Sequence, residues 1–277
     1  MTDDNSRVLV VTPTLGRCPY LDDTVASIAA AGVPVLHVMS APADRVGALR
    51  FRYPKALVVA DQGKAGGIYG ALNAALEAQP DGWGWFTYIN DDDLLLPGFG
   101  ELVRRHLRRP DPAPVAYGDV DAIREDGAVV SRITTERTPR WIPALLQQGI
   151  SPLMQQGTIF QRATVRRLGR FDLRYRLCAD LDFWLRAYAG GDAFRYHPFR
   201  VAQFRIRDGQ LSSDTAKTIG EQDEIVGRHL PRPVPAALKA YARLRYRLCN
   251  LPRYLQRVRS SGLRTSYQIL GAGAEPK

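Results

Sequence analysis

The stretch Thr87–Pro97, TYINDDDLLLP, sets three carboxylates side by side directly after a run of strand-forming residues. Adjacent carboxylates raise one another's pKa and cost stability unless positive charge sits among them. Two readings follow. One is an exposed Asx-type turn closed by Pro97. The other is a cation site, because strand-end carboxylates in an α/β crevice suit a hard divalent ion. Mg²⁺ or Mn²⁺ takes few protein carboxylates and completes its shell with water and phosphate oxygens.

Working outward, the segments around the triplet alternate in type. RVLVVTPT (7–14), VPVLHVMS (33–40), KALVVAD (55–61) and WGWFTYIN (83–90) read as strands. YLDDTVASIAAAG repeats apolar residues at helical spacing through Leu21, Val25 and Ile28, and GGIYGALNAALEAQ reads as a helix opened by glycines. Strands alternating with helices predict an α/β domain with a mostly parallel sheet, whose ligands gather at the carboxyl ends of the strands. Thr12, Thr14, Asp61 and Asp91–Asp93 all fall at such ends. Farther on, PVAYGDVDAI (114–123) and RYHPFRVAQFRI (195–206) are strand candidates. In ADLDFWLRAYAGG (179–191), Leu181, Trp184, Leu185 and Tyr188 predict a helix from about Asp180 to Gly190.

Composition bounds the class. At 277 residues, 45% hydrophobic and 24% charged, the chain is an ordinary globular protein with room for a large core. MTDDNS resembles neither a secretory nor a transit peptide, and the run from Ala26 to Met39 is too short to span a bilayer. Cys18, Cys178 and Cys249 lack metal spacing and read as reduced thiols of a cytoplasmic protein. The formal charge is +10, and it is uneven. Ile225–Ala274 holds ten basic residues and no Asp or Glu, so in the remainder basic residues equal the 28 acidic ones in number.

Other features are weaker. Gly63, Gly66, Gly67 and Gly70 match neither dinucleotide nor P-loop spacing and read as a turn into a helix, whose N-terminus favours an anion. His37, His106, His197 and His229 show no ligand spacing. Asp180 and Asp182, two apart on a helix, point in different directions and are no chelating pair. Asp180 reads equally as a helix N-cap or as a carboxylate displayed for general-base work.

Taken in order, VVTPTLGR, LDDTVASI, DQGKAGGIYGALNAAL, YINDDDLLLPGF, YGDV, MQQGTIFQR, LGRFDLRYRLCADLDFWLR and FRIRDGQLSS resemble the GT-A fold family 2 glycosyltransferases, especially a bacterial branch with D-x-D-F-W-L-R. The resemblance implies a GT-A domain over 1–215, with a nucleotide-sugar half at about 1–120, an acceptor and catalytic half at 121–215, and a basic helical extension at 216–277. It implies an inverting, metal-dependent transfer from a nucleotide-diphosphate sugar to an acceptor hydroxyl, with Asp93 as ligand to Mn²⁺ or Mg²⁺. Thr12, Pro13, Thr14, Arg17, Asp61, Asn73, Asp91 and Asp92 would line the nucleotide-sugar pocket. Gln155, Gln156, Asp182 and Trp184 would border the sugar and acceptor, and Asp180 would be the base. Three positions depart from the family pattern: Ser40 lies where an Asp often reads the base, position 70 is Gly rather than Asp, and Gln155 replaces a His.

The basic extension interleaves Leu, Tyr and Val with Arg, which suits an anionic membrane surface, a solvated helix packed on the body, or a partner surface. A lipid-linked or cell-surface glycan acceptor at the inner face of the plasma membrane would fit the first. Two rivals remain: a nucleic-acid-binding module using the tail, and a nucleotidyltransferase. The acidic crevice argues against the former, and TPTLGRCP supplies little of the basic glycine-rich loop that the latter needs.

Overall fold

A computed structural model of the chain describes residues 6–78, 81–207 and 215–255. The first half is as the alternation predicts. Strands β1 (Val8–Pro13), β2 (Val35–Pro42), β3 (Leu57–Asp61) and β4 (Trp85–Tyr88) are connected by α1 (Leu21–Ala29), α2 (Val46–Arg52) and α3 (Gly67–Ala78). They pair in parallel in the order β3-β2-β1-β4. Because β1 is covered on both faces, all six of its residues are buried. Its alternate residues feed two cores: Leu9 and Val11 meet Leu72 of α3, whereas Val8 and Val10 meet Ile28 of α1.

Beyond β4 the sheet turns mixed. After β5 (Leu94–Leu95) and α4 (Pro97–Leu107) come β6 (Val115–Ile123), β7 (Val129–Ile133), α5 (Ile142–Leu146), β8 (Thr158–Gln161), α6 (Arg162–Leu168), α7 (Ala179–Ala189) and β9 (Phe194–Arg205). β8 lies antiparallel between β4 and β6, and β6 runs parallel to β9. The parallel character is therefore confined to the first four strands and the β6–β9 pair, and the sheet as a whole has nine strands. α4 follows the triplet closely because two of its residues are glycine. A Cβ on Gly98 would stand 2.1 Å from the Arg200 carbonyl oxygen, and one on Gly100 would stand 2.1 Å from that of Ala31.

Opposite, Phe171 stacks between Tyr69 of α3 (5.6 Å) and Phe183 of α7 (4.5 Å), which joins the two halves through one aromatic column. The described part of the basic extension packs on the body. α8 (Thr215–His229) contacts α7, and α9 (Ala236–Cys249) contacts α5. The DGQLSS part of the last resembling segment, and Arg257, Arg259 and Arg264 of the tail, lie outside the described residues.

Candidate active site

The carboxyl ends of the parallel strands form one hydrogen-bonded rim. Thr14 Oγ1, just past β1, donates to Asp91 Oδ2 at 2.5 Å. The Thr14 N–H donates to the Ser40 carbonyl of β2 at 2.9 Å. Ser40 Oγ then donates to Asp61 Oδ2 of β3 at 2.9 Å, and the Gly63 N–H caps Asp61 Oδ1 at 2.5 Å. Thr14, Asp61 and Asp91 thus share a crevice, as strand-end positions predict. Thr12 does not open into it. It is fully buried and bonds His37 Nε2 at 3.0 Å, and burial holds that imidazole neutral, with its pKa lowered to about 4. Pro13 is buried within β1, and Arg17 is exposed just past its end.

The three aspartates have different fates. Asp93 is fully buried. Its Oδ2 accepts from Gln156 Nε2 at 2.9 Å and Asn90 Nδ2 at 3.2 Å, and its Oδ1 accepts from the Arg205 N–H at 2.8 Å. Burial and the neighbouring Asp92 push its pKa up to about 8 against those three donors. No part of Asp93 reaches the surface and both oxygens are engaged within the fold, so a metal role for Asp93 requires Gln156, Asn90 or the Arg205 N–H to release it. Asp92 meets Arg207 instead, whose Nε donates to Oδ2 at 2.5 Å. Asp91 is half-buried and its pKa is raised, first by burial and then by Asp92, against the Thr14 hydrogen bond. Burial and Asp91 likewise push the Cys18 thiol up to about 12, so it is no nucleophile here.

Asp180 sits in the first turn of α7 and is half-buried. The packed surroundings raise its pKa to about 6 although Tyr69 Oη donates to Oδ1 at 3.0 Å and the Leu181 N–H donates at 2.9 Å. No side chain caps α7, so the N-cap reading of Asp180 is set aside. The loop ahead of it is held from α8. Glu221 accepts from the N–H groups of Arg176 (2.9 Å), Leu177 (2.8 Å) and Cys178 (2.9 Å). The buried Tyr88 of β4 links the two acidic regions. Its phenol is held neutral by burial, then by Asp180, then more weakly by Asp93, with Tyr69 as its hydrogen-bond partner. Tyr88 therefore lies within electrostatic reach of both Asp180 and Asp93.

Other predicted residues serve packing. Asp182, 2% exposed, pairs with Arg186 Nε and His229 Nε2, both at 2.8 Å, and so ties α8 to α7. Trp184 lies in the core beside Leu181 and Leu185. Asn73 spans Phe171 with both ends of its amide, to the carbonyl at 3.0 Å and the N–H at 2.9 Å. Gln155 donates to the Tyr88 carbonyl and Gln156 to Asp93, so this pair braces the strand end from the β8 side.

Among the described residues no group of three or more His, Cys, Asp or Glu side chains converges on a metal position. That is compatible with an ion held by one or two carboxylates and a diphosphate. The crevice does fit such a group. Asp91 is half-buried at the strand end, Asp92 is 4% exposed with Arg207 on one oxygen, and among the described residues the buried Asn90 Oδ1 and Gln156 Oε1 have no donor. Sequence reasoning missed Tyr69, Glu221, Arg205 and Arg207. Arg205 is 3% exposed, stacks 4.1 Å over the Tyr20 ring and donates to the Asp92 carbonyl at 2.9 Å. The one available signal was FRIR, two arginines closing a strand in a domain with an acidic crevice.

No family model matches the sequence, and no curated protein does. Solved structures do resemble the fold. S. aureus TarS 1-349 in complex with UDP-GlcNAc superposes with a TM-score of 0.61 at 15% identity, over 96% of this chain and 79% of that one. The mannosyltransferase PcManGT from Pyrobaculum calidifontis, in complex with GDP-Man and Mn²⁺, gives 0.59 at 16% identity, over 96% and 79%. The chain thus has the α/β fold of these two nucleotide-sugar-bound proteins, carried over nearly its whole length.

Proposed function

We propose that the chain is an inverting, metal-dependent glycosyltransferase acting on a nucleotide-diphosphate sugar and an acceptor hydroxyl. The observation that carries the reading is Asp180, a half-buried carboxylate in the first turn of α7 whose Oδ1 accepts from Tyr69 Oη at 3.0 Å and whose pKa burial raises to about 6. A base works best with a pKa near the working pH, so burial has turned a weak base into a useful one. Asp180 Oδ2 would take the acceptor's proton while Tyr69 keeps Oδ1 in place. Asp91 and Asp92, joined by Asp93 where its internal hydrogen bonds release it, would hold Mn²⁺ or Mg²⁺. A divalent ion bound there would offset the charge that develops on the leaving diphosphate. Arg207 would pass from Asp92 to a phosphate oxygen when the donor enters. That two proteins of this fold were solved with UDP-GlcNAc and with GDP-Man and Mn²⁺ supports the donor class. The acceptor we assign to the lipid-linked or cell-surface glycans.

Thermal unfolding against a panel of nucleotide sugars, with and without Mn²⁺, tests the reading. A true donor at a hundred times its Kd should add about 2.7 kcal/mol of stability. That gain should need Mn²⁺ and should vanish in Asp92→Asn. A panel without any shift, or a shift indifferent to both Mn²⁺ and Asp92→Asn, would refute it.

A further inference from the structure

α9 is amphipathic the wrong way round. Its inward face combines two buried apolar residues with polar anchors. Ala242 and Tyr246 pack on Ala144 and Leu145 of α5. Arg245 pairs with the buried Glu136 and, at 2.7 Å, with Thr138 Oγ1. Asn250 clasps Thr134 twice at 3.0 Å, accepting from its N–H and donating to its carbonyl. These directional bonds fix the helix's rotation about its axis. They leave Leu244 and Leu248 outward, with Tyr241 half exposed against the Trp141 ring at 5.2 Å, and Leu251 and Leu255 continue the row through the helical turn at 251–255. The steps of three and four residues make a single stripe. Leu244 and Leu248 are 59% and 61% exposed. A helix that merely covers a globular body has the opposite arrangement.

The charges beside the stripe say what covers it. Arg243 and Arg247 are exposed, and the sequence from Ile225 to Ala274 offers no Asp or Glu to neutralise them. Packing against a second copy of α9 would bring these arginines together with their own duplicates. A nucleic acid would match the charge but not the leucines. An anionic leaflet supplies a diffuse negative potential and an apolar interior at the same depth. No helix among the described residues is long and apolar enough to cross a membrane, so contact would be along the surface. We propose that the outward face of α9 docks the protein on an anionic lipid surface, with Tyr241, Leu244, Leu248, Leu251 and Leu255 inserted and Arg243 and Arg247 at the headgroups. The inference is independent of the transferase reading, because vesicle binding requires no sugar and donor binding requires no vesicle.

Flotation of the full chain with phosphatidylcholine vesicles, with and without 30% phosphatidylglycerol, tests it. The chain should float with the anionic vesicles only, and less as salt rises. Leu244→Ser with Leu248→Ser should reduce binding at least tenfold at an unchanged melting temperature. Arg243→Gln and Arg247→Gln should each weaken it about fivefold, the scale of one basic residue near such a surface, and flatten the salt dependence. Three results would overturn the proposal: no flotation of the unaltered chain, equal flotation of the double serine variant, or a dimer in sedimentation that the same variant dissolves.

Discussion

Asp93 and Asp180 are both acids lifted well above the usual carboxylate range by burial, yet they are built for opposite ends. Asp93 is fully enclosed and takes three donors from three segments: Asn90 after β4, Gln156 before β8 and the Arg205 backbone of β9. Asp180 takes one phenol and its own helix's N–H, and keeps part of its surface in solvent. High pKa alone therefore does not mark a reactive group. What separates them is access and the number of bonds that must break before the oxygen can act. A residue that ties three segments together holds the site in shape, and a residue with one oxygen outside these bonds and a solvent face is free to exchange a proton.

The largest effect expected from that contrast is at Asp180. In Asp180→Asn, turnover measured as nucleotide release should fall about 10²–10⁴-fold, the range of a positioned general base. The melting temperature should hold or rise slightly, since the amide still accepts from Tyr69 and carries no charge to desolvate. Near-normal turnover in a folded variant would end the base assignment.

Asp93→Ala should reverse the pattern. It leaves Gln156 Nε2 and the Arg205 N–H without their acceptor in buried surroundings, and Asn90 Nδ2 in a partly buried one. Unmet donors cost about 1–3 kcal/mol apiece, and partial relaxation suggests a total of about 3 kcal/mol. Calorimetry should then show a fall in Tm of roughly 6–10 °C. An unshifted melting curve would mean that Asp93 is not the brace described here, and would return it to consideration as a ligand.

The same contrast shows what sequence makes legible. β1 was readable because its apolar run is short and ends at Pro13, and α7 because Leu181, Trp184, Leu185 and Tyr188 repeat at helical spacing. α4 was not, since Gly98 and Gly100 look like a turn when they in fact let the helix approach β9 and the end of α1. The short β8 lacks a period long enough to detect, so the antiparallel pairs that join β4 to β6 could not be read from sequence. Thr14, Asp61 and Asp180 could be placed at the ends of their elements because position at an element's end is a local property. The division of labour inside the triplet was not local. Arg207 and Asp92 are 115 residues apart, and Gln156 and Asp93 are 63 apart, so only the folded sheet says which aspartate is enclosed.

The smallest effect is the most discriminating. Tyr69 Oη donates to Asp180 Oδ1 at 3.0 Å, which favours the ionised carboxylate and works against the burial that raises its pKa to about 6. Activity of the unaltered chain should rise with pH through about 6 and level off above it, because the base must be ionised. Tyr69→Phe removes the hydrogen bond, so the limb should move upward. A shift of about one unit is expected, since one unit corresponds to about 1.4 kcal/mol and a hydrogen bond to a charged group is of that order. The plateau at high pH should change far less than the midpoint. Stability supplies a second readout of the same group. A carboxyl whose folded pKa is raised contributes stability that is complete below its unfolded pKa, near 3.8, and is lost as pH rises through about 6. Denaturant titrations at pH 4 and pH 7 should therefore show a loss in the unaltered chain and a smaller one in Asp180→Asn, the remainder belonging to Asp93, whose pKa is raised to about 8. An activity limb without the matching stability change would mean that a different group titrates during turnover, and that the phenol of Tyr69 orients α3 against α7 without tuning a base.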